Sequence, residues 1–159
     1  MKITVLSVGK LKEPFFRDAV AEYAKRLKAY AETELTEVKD EAAPEHYSDA
    51  ERELVLKKEG ERILERLPEN AYPVILAIKG KSFTSEAFAK RIDELMLEGN
   101  SHFCFVIGGS LGLSDEVIKK GKLLLSFSDF TFPHQLMRVV LLEQLYRAMK
   151  IRKGEPYHK

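Results

Sequence analysis

The chain has one cysteine, Cys104, among 159 residues, so no internal disulfide can form. Cys104 lies in the apolar run SHFCFVIG, which marks it as a buried core thiol rather than a nucleophile. A chain without disulfides suits a reducing compartment, and a cytoplasmic location is expected. No apolar run approaches the roughly 20 residues of a membrane span. The opening MKITVLSVGK is apolar for too few residues to be a signal peptide and reads as a first strand. Internal repeats, low-complexity segments and linkers are also missing, so one domain over residues 1–159 is expected.

Cations and anions nearly balance, 26 Lys/Arg against 25 Asp/Glu, so the chain lacks any sizeable net charge at a formal +1. The balance is uneven along the chain. Residues 134–159 carry six Lys/Arg against two acids, a net of +4, and the remainder is −3. A basic end on a near-neutral protein suits a polyanion partner or a solvated tail.

Strand-like and helix-like stretches alternate. Ile3–Val8 reads as a strand, and Pro14 opens a helix with apolar residues at helical spacing. Glu34–Val38 is a lesser strand. Ser48-Asp-Ala-Glu51 forms a capping box for a charged helix that ends before Pro68. Tyr72–Ile78 is a strand, Thr84 caps a helix ending at Gly99-Asn100, and His102–Ile107 is another strand. Ser114 caps a short helix, Leu123–Leu125 is a short strand, and Pro133 opens a last helix to about Ile151. Five strands separated by helices predict an α/β fold, a mostly parallel sheet with helices on both faces. Ligands in such sheets bind on the loops after the strands, here Lys79–Phe83, Gly108–Leu113 and Ser126–Pro133.

Two phosphate motifs nearly match and fail. Gly80-Lys81-Ser82 resembles the end of a P-loop, but the required earlier glycine is Ile75. Gly109 and Gly112 fit the last two glycines of a dinucleotide fingerprint, but the first position is Ile107. Adjacent glycines still allow a flat ligand to approach the backbone closely.

The last helix is apolar over a broad arc, which predicts burial on more than one side and a homodimer through this helix. Arg138 falls inside that arc and needs an acid partner or a bound anion. His134 opens the helix beside the Ser126–Pro133 loop. Pro156-Tyr157-His158 pairs a stacking aromatic with an imidazole, a combination suited to an RNA base.

Taken together, IGGSLGLS after a strand, FSDFTFPHQLMRVVLLEQLYRA and a terminal PYH resemble the RlmH family over essentially the whole chain. These are SPOUT-class methyltransferases acting on N3 of a pseudouridine in 23S ribosomal RNA. The resemblance implies a C-terminal trefoil knot, S-adenosylmethionine as cofactor, and a homodimer joined by the final helix. It implies cofactor contacts at Leu76, Gly108, Phe127, Ser128, Asp129, Phe130, Thr131 and Phe132, with the tail 152–159 contributing to the site, supplied by the partner. Methyl transfer from a sulfonium needs in-line approach of a nucleophile and no metal. His134, Arg138, Tyr157 and His158 are the catalytic candidates, as base, cation or stacking group. Arg147, Lys150, Arg152 and Lys153 are the expected RNA-phosphate contacts. The assembled 70S ribosome is the expected presenter of the substrate. The alternatives are a ribosome-associated RNA-binding protein without catalysis, and a nucleotide-binding oxidoreductase.

Overall fold

A computed structural model describes residues 1–42 and 45–159. Ten elements alternate along the chain: β1 (Lys2–Val8), α1 (Pro14–Leu27), β2 (Glu32–Val38), α2 (Asp49–Arg66), β3 (Tyr72–Ser82), α3 (Ser85–Leu97), β4 (His102–Ile107), α4 (Asp115–Lys120), β5 (Leu123–Ser126) and α5 (His134–Arg152). The strands form one sheet in the order β2-β1-β4-β3-β5, and every pairing is parallel. Each connection therefore crosses over through a helix.

The inner strands are apolar without alternation because both their faces are covered. Ile3 and Val5 of β1 with Phe103, Phe105 and Ile107 of β4 face one cluster, which includes Leu141, Leu142 and Leu145 of α5. Leu6 and Val8 with Cys104 and Val106 face the other, which includes Ile63 of α2 and Val117 of α4. Accordingly α5 packs against α1 and α3, and α2 packs against α4.

The helix starts follow local chemistry. The Ser48 hydroxyl accepts from Glu51 N–H (3.2 Å), and the Glu51 carboxylate accepts from Ser48 N–H (2.8 Å). Thr84 and Ser114 cap α3 and α4 through single hydroxyl acceptors. Pro133 is the N-cap of α5 rather than its first residue.

One expectation about the strands is corrected. β3 does not stop at Ile78; it continues through Ser82 as a bulged strand. Leu76 and Lys81 both lie opposite Leu125 of β5, so residues 77–80 are extra to the ladder. Lys79–Ser82 is thus strand, not loop. The apolar arc of α5 is also split. Leu141, Leu142, Leu145, Ala148 and Met149 are buried, whereas Leu136, Met137, Val139 and Val140 are only half-buried.

Candidate functional site

All strands are parallel, so their C-terminal ends share one edge of the sheet. β4, β3 and β5 are neighbours there. That adjacency brings together Leu76 on β3, Gly108 after β4 and residues 127–132 after β5.

The glycines in this region serve tight backbone turns. Gly112 N–H donates to Gly109 O (3.0 Å), and Gly112 has φ +88°, a left-handed conformation that a side chain resists. A Cβ on Gly108 would stand 2.6 Å from Gly112 O. A Cβ on Gly80 would stand 2.7 Å from Leu124 O, so the β3 bulge lies directly on β5. The 127–132 loop is organised by its own serines. Ser126 Oγ donates to Ser128 O (3.3 Å), and Ser128 Oγ accepts from Phe130 N–H (2.9 Å). Phe127 packs against the core, whereas Asp129, Phe130, Thr131 and Phe132 are exposed.

A cavity of about 260 Å³ adjoins this loop. Phe83, Thr84, Phe88, Leu125, Ser126, Phe127, Phe132, Val140 and Gln144 line it. Of the expected cofactor residues it meets only Phe127 and Phe132; Leu76, Gly108 and residues 128–131 lie outside its lining.

Arg138 is buried and turned toward β1 and β2. One Nη donates to Glu37 Oε1 (2.7 Å), and the other donates to Val8 O (2.9 Å) and Gly9 O (2.6 Å). Of the two sequence readings of Arg138, the ion pair to an acid is present. His134 stands near it, with Asp40 and Lys12 as further charged neighbours. Burial, then the Arg138 guanidinium, hold its imidazole below the ordinary value and favour the neutral ring.

The tail is anchored. Tyr157 O–H donates to Glu143 Oε1 (3.0 Å), and the Arg147 guanidinium lies 4.7 Å from the Tyr157 ring centroid. Burial, then Glu143, push the Tyr157 phenol up to about 12, so it remains a donor. His158 Nε2 pairs with Glu86 (2.8 Å) and its Nδ1 with Arg147 (3.3 Å). The tail thereby reaches the start of α3, next to the cavity-lining Thr84.

The basic end is less free than its composition suggested. Arg147 pairs with Glu143 (2.5 Å), Lys150 with Glu155 (2.7 Å) and Arg152 with Asp93 (2.5 Å). Lys153 is exposed and lies 5.5 Å from the Tyr30 ring centroid. Sequence reasoning missed a chain of contacts behind the cavity. Ser85 Oγ donates to Gln144 Oε1 (2.7 Å), and Gln144 Nε2 donates to Glu143 Oε2 (2.7 Å). The helix cap at Thr84 was the only local signal for it. Among the described residues no group of three His, Cys, Asp or Glu is arranged to hold a metal ion. No described helix is long and apolar enough to cross a membrane.

A parallel sheet with a bulged β3, a glycine turn after β4 and a loop after β5 is the frame of the site, and the class it belongs to is that of the SPOUT methyltransferases. The family model described as "Predicted SPOUT methyltransferase" matches residues 1–158. The trefoil knot expected of the C-terminal part goes with that class. Proteins named "Ribosomal RNA large subunit methyltransferase H" from an Exiguobacterium species and from Bifidobacterium adolescentis are each 55% identical, over 100% of both chains. One of the same name from Bacillus pumilus is 54% identical over the same span. The chain belongs to the RlmH family. Among solved structures, a putative methyltransferase from Legionella pneumophila in complex with bound SAM is similar at TM-score 0.51 and 15% identity. That match covers 93% of this chain and 66% of the Legionella chain, and the likeness is one of fold.

Proposed function

We propose that this protein transfers a methyl group from S-adenosylmethionine to large-subunit ribosomal RNA, at N3 of a pseudouridine presented by the assembled 70S ribosome. The observation that carries this reading is full-length identity of 55% to proteins named for ribosomal RNA methylation. The site fits the cofactor in kind. Leu76, Phe127 and Phe132 offer apolar surface for a purine, and the main chain at Gly108 and residues 127–132 offers donors and acceptors. Bound S-adenosylmethionine supplies a methyl group on a sulfonium.

The chain's own residues do the rest. N3 of the base must lose its proton as the N–C bond forms. We assign that proton to a tail imidazole, His158: Glu86 holds its Nε2–H, and its Nδ1 lone pair, which accepts from Arg147 in the free protein, takes the proton once Arg147 turns to the RNA. Tyr157 stacks on or orients the base, with Arg147 behind its ring. Arg138 and His134 brace the start of α5. Lys153 meets phosphate directly, and Arg147, Lys150 and Arg152 exchange Glu143, Glu155 and Asp93 for phosphates on binding. The half-buried residues of α5 join two copies into a homodimer, and the partner's tail completes each site.

Mass spectrometry of ribosomal RNA from cells lacking the protein tests the reading. One methyl should disappear and return when purified protein and S-adenosylmethionine are added to ribosomes. An unchanged methylation pattern would overturn it. Full-rate transfer by His158→Ala would remove the tail from the mechanism.

A further inference from the structure

Glu59 sits on α2 away from the cavity and the tail, and nothing above uses it. It is 5% exposed. Its Oε1 accepts from Glu41 N–H (3.1 Å), and its Oε2 is buried with no hydrogen-bond partner among the described residues. A charged helix facing water does not explain an acid placed there.

The carboxyl is aimed at the glycine turn after β4. A Cβ on Gly109 would stand 3.0 Å from Glu59 Oε2 and 3.1 Å from Val8 Cγ1. The next residue repeats the pattern: a Cβ on Gly60 would stand 2.5 Å from Ser114 Oγ. Consecutive residues of α2 therefore touch both ends of the segment that runs from Gly109 to Ser114. Only the absence of side chains on Gly109 and Gly60 allows so close a fit. The groups around the carboxyl also favour its neutral form. Burial, with Asp40 and Glu41 nearby, pushes it above the ordinary carboxylate range against the bond from Glu41 N–H and the charge of Arg62. Arg62 is itself paired with Glu41 and bonded to Lys39 O (2.9 Å), so it does not neutralise Glu59.

We infer that Glu59 is a positioning residue for the methyl-donor pocket, a strut that ties α2 and the chain after β2 to the Gly108–Leu113 turn. This rests on the reading of that turn as one wall of the pocket. The strut acts by shape and by one accepted hydrogen bond, so an amide serves in its place. Shortening or removing it frees Gly109 and loosens the wall, which costs binding of the cofactor more than the chemical step.

The test compares Glu59→Gln and Glu59→Ala by two measurements on full-length protein: calorimetric titration with S-adenosylmethionine, and amide hydrogen exchange across residues 108–113. Glu59→Ala should weaken binding about tenfold or more and speed exchange by a similar factor, and Glu59→Gln should stay within about twofold of wild type in both. At saturating cofactor, Glu59→Ala should recover most of its kcat. Wild-type behaviour of Glu59→Ala, or loss in Glu59→Gln as deep as in Glu59→Ala, would overturn the inference. If Glu59→Ala does not fold, Glu59→Asp replaces it, because the shorter acid cannot reach Glu41 N–H and Gly109 together. If wild-type protein binds no S-adenosylmethionine, the methyl-donor reading falls and the exchange measurement alone judges the strut.

Discussion

Replacing Arg138 separates a brace from a catalyst. The side chain is 4% exposed and gives three charge-assisted hydrogen bonds, two of them to the main-chain oxygens of Val8 and Gly9. In Arg138→Met the apolar volume is largely kept, but both carbonyls lose this donor in a place water reaches poorly. A buried acceptor left without its donor costs about 1–3 kcal/mol. Glu37 is 36% exposed and rehydrates, so its loss adds little. Relief of the buried guanidinium's own desolvation offsets part of the total. The expected destabilisation is about 2–4 kcal/mol, which lowers Tm by roughly 4–16 °C in a domain of this size. Arg138→Lys keeps the charge without the fork and should fall between. Thermal unfolding followed by circular dichroism measures this, at matched protein concentration because the Tm of the proposed homodimer would depend on it. If Arg138→Met melts within about 1 kcal/mol of wild type yet transfers no methyl, the brace is refuted and Arg138 acts on the substrate.

Two other perturbations have defined outcomes. Gly108→Ala puts a Cβ 2.6 Å from Gly112 O, so the turn must move, and S-adenosylmethionine affinity should drop by about tenfold or more in calorimetry. Native affinity in that variant would remove the turn from the pocket. Glu86 is held down to about 2 by its own backbone N–H, then by His158 and Thr84. Its folded value is depressed, so its contribution to anchoring the tail is present above the ordinary carboxylate range and is lost only as pH falls through about 2. Nuclear magnetic resonance titration of the Glu86 side chain should show this, with an upward move in His158→Ala. A midpoint at the ordinary value in wild type would mean that the pair does not form in solution.

Much of the architecture was legible because both periodicities were clean. The boundaries of β4 and the cap of α2 could be read from an apolar run and a Ser-x-x-Glu spacing. Parallel-sheet logic marked the loops Lys79–Phe83, Gly108–Leu113 and Ser126–Pro133, and the apolar arc of the last helix pointed to a homodimer before any resemblance did; Leu76 and the ligand came from resemblance alone. The β3 bulge was hidden, because a strand that carries four residues outside its ladder looks in sequence like a strand that ends. Net charge misled in a different way. It counts cations and says nothing of Glu143, Glu155 and Asp93, which fold back onto them. Glu59 was invisible for the same reason, one acid among many on a charged helix.

The sheet order also bears on how the chain is made. β1 pairs with β2 on one side and with β4 on the other. At about 5–20 residues per second, the ribosome finishes β2 several seconds before β4 emerges. During that interval one edge of β1 has no partner, and Val5, Leu6 and Val8 lack half of their cover. Strand order therefore keeps one edge of β1 open in the newborn chain until β4 has emerged.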